Sequence, residues 1–251
     1  MSKGMQELKR RLADAIRRRG GSAFGIASAE EADAYERIKI GSTVNRLSER
    51  ITEKIPGAKR VIVFGVRSSD DADELTTRRG ANNWTYPGYF PLTHMRRDVL
   101  QILREEGYKA WPVPGLVPLK RAAILAGIGA YGKNSMILSP KHGLWLRFEA
   151  VVTDAELPVD RAFSKDLCGS CTRCMRACPT KAIKPYVLDA NRCLVDVSLR
   201  VNPPKALEKI RGRHEYQLTP RTHVMCTVCQ KACPHTTVDR RRNSFSRPSR
   251  P

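Results

Sequence analysis

Eight cysteines, all within residues 168–233, constrain this chain more than any other feature. The first four read Cys168-x2-Cys171-x2-Cys174-x3-Cys178-Pro179, the spacing of a bacterial-type [4Fe–4S] run. One cubane takes four thiolates, and the short x2 loops let three of them converge while a distant residue supplies the fourth. In two-cluster proteins the last cysteine of such a run ligates the other cluster, so the motif calls for a second half. That half follows as Cys226-x2-Cys229-x3-Cys233-Pro234, with Cys193 the one thiol left between the runs. Crossing the ligands assigns Cys168, Cys171, Cys174 and Cys233 to one cluster and Cys178, Cys193, Cys226 and Cys229 to the other. Two linked clusters make an electron relay.

Zinc also binds four thiolates in C-x2-C pairs, but it has no use for a third cysteine at x2 or for the Cys-Pro that ends both runs. A secreted disulfide framework fits less well still, because the chain is long and the spacings are those of metal ligation. Arg17-Arg18-Arg19 is followed by no long apolar stretch, which argues against twin-arginine export, and no window reaches transmembrane length. Reduced thiols and oxygen-sensitive clusters lead us to expect a cytoplasmic protein. The 251 residues carry 45 Lys and Arg against 25 Asp and Glu, a net charge of +20. So basic a chain suits nucleic acid, an acidic protein partner or an anionic cofactor, and says nothing of fold.

Hydrophobic spacing supplies the scaffold. Met5, Leu8, Leu12, Ala15 and Ile16 recur with helical period up to Gly20-Gly21, and residues 23–27 form a short apolar strand. Charged sequence from Glu30 to about Lys54 is expected to be helical. Residues 60–66 are the clearest strand, β-branched and bounded by turn residues. Periodicity then vanishes from Ser68 to Pro91, where Trp84, Tyr86, Tyr89 and Phe90 crowd a Pro/Gly-punctuated loop of the kind that carries function. Thr93 is placed to cap a helix from His94 to Glu106, residues 108–113 suit an edge strand because Pro112 lacks a donor, and residues 117–126 suit a helix. Gly127-x-Gly129-x-x-Gly132 and Gly127-x4-Gly132-Lys133-Asn134 imitate nucleotide-binding loops, but both motifs need a strand before and a helix after, and here the order is reversed. Strands at 136–138 and 144–153 follow. Elements alternate without a βαβ rhythm, so the fold class is α+β.

These residues together carry a resemblance. Ala126-Gly127-Ile128-Gly129-Ala130-Tyr131-Gly132-Lys133-Asn134, then a strand, a Pro-x-x-Gly turn, a second strand and the eight cysteines in this order, resembles the epoxyqueuosine reductase and reductive dehalogenase superfamily over nearly the whole chain. The resemblance implies a nitroreductase-like mixed α/β domain over residues 1–160 that holds cobalamin. It further implies a ferredoxin-like double-cluster domain over residues 161–238, and a disordered basic tail is expected over 239–251. In that picture two [4Fe–4S] clusters pass single electrons to cobalt, and a flavodoxin- or ferredoxin-type protein supplies them. Tyr131, Lys133 and Asn134 become candidate cobalamin contacts, walled by the aromatics of residues 84–90.

The chain also departs from the pattern. Epoxyqueuosine reductases carry an aspartate, assigned as proton donor, shortly before the helix that leads to the glycine turn. Here that region reads Trp111-Pro112-Val113-Pro114-Gly115-Leu116-Val117-Pro118, and no carboxylate stands between Glu106 and Glu149. Another acid is then required, with Tyr131 and His94 as catalytic candidates beside His142 and Tyr89. Three readings result: a corrinoid-dependent iron–sulfur oxidoreductase, a two-cluster electron carrier or reductive activator without substrate chemistry, and a tRNA-binding modification protein favoured by the positive charge.

Overall fold

The computed structural model describes residues 3–40, 46–68, 71–80, 83–200 and 202–237, so the basic tail lies outside the described residues. Four antiparallel strands form the main sheet in the order Ala23–Ser28, Arg60–Arg67, Leu146–Thr153, Ala110–Pro112. Successive side chains of a strand face opposite ways, and here both faces are covered. Ile62, Phe64 and Val151 pack beneath the helices Lys3–Arg18 and Phe90–Glu105, against Leu12, Ile16, Met95 and Leu103. Val61, Val63, Ala150 and Val152 face the other way, onto Ala122, Ala123 and Leu125 of the helix Leu119–Leu125. Burial on both faces is why residues 60–66 form an unbroken apolar run rather than an alternating one. Pro112 pairs opposite Val151 on the outermost strand, where a missing N–H costs no ladder bond.

Two of the expected elements are different. The charged stretch after Glu30 is not one helix: Ala29–Asp33 and Ile51–Lys54 are short helices with a small pairing of Lys39–Ile40 and Arg46–Leu47 between them. Tyr35, Ile38 and Leu47 are exposed, so the segment has no apolar face to hold a long helix against the core. The Asp33 carboxylate instead accepts from the backbone N–H groups of Ile51 and Thr52, both at 2.8 Å, and caps the second helix in place of a longer first one. The aromatic loop is in part a sheet. Leu75–Gly80 and Asn83–Thr85 pair with each other, and Thr222–Val224 and Tyr216–Thr219 complete the order Tyr216–Thr219, Thr222–Val224, Leu75–Gly80, Asn83–Thr85. The helix after it begins at Phe90, with Pro91 in its first turn, where a proline's missing N–H is harmless. Among the described residues no helix is long and apolar enough to cross a membrane.

One close approach fixes the glycine turn against this sheet. A Cβ on Gly25 would lie 2.1 Å from the Ala126 carbonyl oxygen, and Gly127 ends the preceding helix at φ +73°. Gly25→Ala is therefore expected to cost on the order of 1–3 kcal/mol through backbone displacement. A fall in the urea unfolding midpoint checks it, and an unchanged midpoint would show that the contact yields.

Candidate metal centre and adjoining cavity

All eight cysteines are free thiols. They gather around two separate hollows. Cys168, Cys171, Cys174 and Cys233 line the first, together with Gly132, Lys133 and Asn134 from the glycine turn and Leu138 and Leu144 from the strands that follow. Cys178, Cys193, Cys226 and Cys229 line the second. The local structure explains why neighbours in sequence part company. Cys174 lies in the helix Arg173–Ala177, whereas Cys178 is its C-cap with ψ 117°, an extended residue that turns the chain away. Cys229 lies in the helix Val228–Lys231, which packs against the first helix, and Cys233 follows beyond its end. Cys193 caps the start of Leu194–Ser198.

The surroundings fit a cluster rather than a single ion. Each hollow is lined by four thiols, the number that one cubane takes. Backbone amides already point at sulfur: Lys133 N–H donates to Cys168 Sγ at 3.4 Å and Ala182 N–H to Cys178 Sγ at 3.3 Å. Such N–H···S bonds are a standard means of tuning iron–sulfur centres. Burial and neighbouring thiols push the Cys229 thiol up to about 12, and burial pushes Cys193 to about 11. Thiolates there need a cationic core to exist, and a bound metal supplies one. Asn134 is 5% exposed; its amide turns toward the Cys229 thiol, and its Nδ2 has no full hydrogen bond. It is the residue that lines both hollows.

The second hollow opens into a cavity of about 420 Å³. Its lining is apolar at Met136, Ile137, Leu146, Phe148 and Met225 and polar at Glu74, Tyr89, Lys120, Arg147 and Asp196, with Lys120 and Asp196 close enough to Cys193 to act on it or feel it electrostatically. Arg147 is buried on the strand Leu146–Thr153, whose one other charged residue is Glu149. It donates from Nη2 to Glu74 Oε1 at 2.8 Å, bonds Ser68 Oγ and the Asp73 carbonyl, and lies 5.6 Å from the centre of the Tyr89 ring. Lys120 Nζ donates to the Ser135 carbonyl at 2.7 Å. Lys120 and Tyr89 are both partly exposed, yet the protein around them lowers the pKa of the lysine and raises that of the phenol, desolvation being the main cause of each. The Tyr89 hydroxyl therefore keeps its proton.

The residues singled out in the sequence are scattered. Asn134 faces the cavity, but Lys133 spends its ammonium on the Gly169 and Cys171 carbonyls and so ties down the first cysteine loop. Tyr131 packs against the main core, His94 is exposed on the outer face of Phe90–Glu105, and His142 Nε2 sits 3.1 Å from the Ser22 carbonyl. Sequence reasoning missed Glu74, Lys120, Arg147 and Asp196. For Arg147 a signal existed, an arginine in the mostly apolar run Leu144 to Val152, which it shares with Glu149.

Comparison with known proteins agrees with this geometry. Residues 167–236 match the 4Fe-4S double cluster binding domain. An epoxyqueuosine reductase of Synechocystis sp. is 29% identical over 206 residues, covering 76% of this chain and 67% of the relative. A structure of epoxyqueuosine reductase with an epoxyqueuosine-modified tyrosine tRNA stem loop superposes with a TM-score of 0.70 at 21% identity, covering 93% of this chain and 66% of that one. A reductive dehalogenase, whose structure suggests a mechanism for B12-dependent dehalogenation, does so at 0.58 and 18%, covering 92% and 31%. Matches to curated relatives span from 26% to 67% of the relatives' length.

Proposed function

Because the chain shares sequence and fold with the epoxyqueuosine reductase and reductive dehalogenase superfamily, we propose that it is an iron–sulfur oxidoreductase whose two clusters feed electrons into the 420 Å³ cavity. Cys168, Cys171, Cys174 and Cys233 hold the outer cluster; Cys178, Cys193, Cys226 and Cys229 hold the inner one. A single observation carries this reading. The four inner cysteines line the same cavity as Tyr89, Lys120 and the Arg147–Glu74 pair. Electrons and protons would therefore meet in one place.

Cobalamin fits that cavity in character: apolar lining for a corrin face, polar lining for its edge, and Asn134 with amide hydrogens to give. When bound, it supplies the strongly reducing metal that the substrate chemistry needs. The chain's own residues do the rest. Asn134 positions and orients, the Met136, Ile137 and Phe148 side chains exclude water, Arg147 holds Glu74 as its partner, and Tyr89 Oη holds the proton that the missing family aspartate would otherwise provide.

The test is anaerobic reconstitution followed by addition of cobalamin. One equivalent should bind per chain, with a shift in its absorbance. A reconstituted protein that takes up iron and sulfide but no corrinoid would overturn the cofactor and leave the second reading, an electron carrier without substrate chemistry. That second reading is favoured by the carboxylate-free segment Trp111 to Pro118. Action on tRNA, as the stem-loop complex shows for a relative, remains a proposal of the same rank.

A further inference from the structure

The outer cysteine set has a surface of its own. From Leu167 to Leu188 the chain holds Arg173, Arg176, Lys181 and Lys184 and not one Asp or Glu. All four cations are exposed, and they are gathered by the fold: Arg173 and Arg176 ride on the helix that carries Cys174, which packs on the strand Ile183–Lys184, and Lys181 Nζ donates to the Arg176 carbonyl at 3.0 Å. At the edge of this patch Val187 is 59% exposed and Tyr186 38%. Val187 pairs directly opposite Lys184. The hairpin is held beside the outer hollow, since Tyr186 N–H donates to the Lys133 carbonyl at 3.2 Å and Tyr186 Oη to Asp166 Oδ2 at 3.0 Å. Asp166 also accepts from the backbone N–H groups of Cys168 and Gly169, so its charge is tied inward, and Asp189, at the far end of the hairpin, accepts from the backbone N–H of Asn191.

We propose that this surface is the docking face for an acidic electron-donor protein, which delivers electrons to the outer cysteine set. The proposal rests on the function proposed above and names its partner. Small apolar groups beside cations that form no ion pair among the described residues match the anatomy of a transient, electrostatically steered interface. An RNA would use the same charges, but it would gain nothing from Val187 and has no electron to give. None of the four cations is among the described residues that line the cavity, and two of them share a helix with Cys174, which suits electron entry at the outer set.

The experiment follows reduction of the reconstituted holoprotein by stopped-flow absorbance, with flavodoxin hydroquinone as the acidic donor and dithionite as the small reductant. The wild-type rate with flavodoxin should fall steeply as ionic strength rises. Joint replacement by Arg173→Glu, Arg176→Glu, Lys181→Glu and Lys184→Glu should slow flavodoxin by at least about tenfold at low salt and abolish the salt dependence, while reduction by dithionite, a small anion that needs no docking face, should slow far less. The four corresponding glutamine substitutions, which add no like charge beside Cys174, should give an intermediate fall. Salt-independent flavodoxin kinetics in the wild type, or an unchanged rate in both variants, would sink the docking face. So would loss of RNA stem-loop binding in the variants with flavodoxin rates intact, which would make this an RNA surface. Failure of dithionite to reduce the wild type would instead count against the clusters themselves.

Discussion

Cys193→Ala is expected to abolish the inner cluster and spare the outer one, so that bound iron and sulfide fall by about half. Its sharper form concerns partners that sequence separates. Cys178→Ala and Cys226→Ala should lose the same cluster as Cys193→Ala, because these thiols line one hollow. Cys233→Ala should lose the other cluster together with Cys168→Ala, although Cys233 stands four residues from Cys229. Ligand geometry drives the expectation: a cubane missing one thiolate exposes an iron corner, and metal binding here is coupled to the folding of its loops. Paramagnetic spectra of the singly depleted proteins would distinguish the two centres. If Cys229→Ala and Cys233→Ala removed the same cluster, the crossed assignment would be wrong and each run would serve its own metal.

The second large effect lies in the polar lining of the cavity. Arg147→Met should destabilise the protein by about 3–5 kcal/mol, because it leaves the Glu74 carboxylate in a site where its salt-bridge side chains are only 6% and 14% exposed. For a chain of this size that corresponds to a fall in melting temperature of roughly 10 °C. Adding Glu74→Gln to the variant should restore part of the loss, since an amide tolerates the pocket better than an unpaired charge. Thermal melts of the three reconstituted proteins decide it. A single variant that melts within about 1 °C of the wild type would mean that the pair is solvated and contributes little.

How far the sequence could be read follows from which interactions are local. The cysteine runs announce their chemistry because the ligand spacing is itself the site. The strand Arg60–Arg67 and the helix Lys3–Arg18 were legible because each carries its own pattern of burial. The sheet around residues 75–85 was not, since its strands are stabilised by Thr222–Val224, whose partners lie far along the chain; a strand that depends on a distant edge shows only a few β-branched residues such as Thr76 and Thr77. The helix expected after Glu30 failed for the opposite reason, having helix-forming residues but no face to bury. The cavity wall was least visible. Glu74, Lys120, Arg147 and Asp196 come from four unrelated segments, and only the topology brings them to one opening. Lys133 drew attention as a cofactor contact through its place on the glycine turn, whereas its ammonium is taken by the carbonyls of the first cysteine loop.

Iron and acid-labile sulfide in the anaerobically purified chain, measured together with zinc, test the central claim most directly. The account predicts about eight iron and eight sulfide per chain with broad absorbance that bleaches on reduction. Two zinc ions and no sulfide, or cysteines recovered as disulfides, would contradict it.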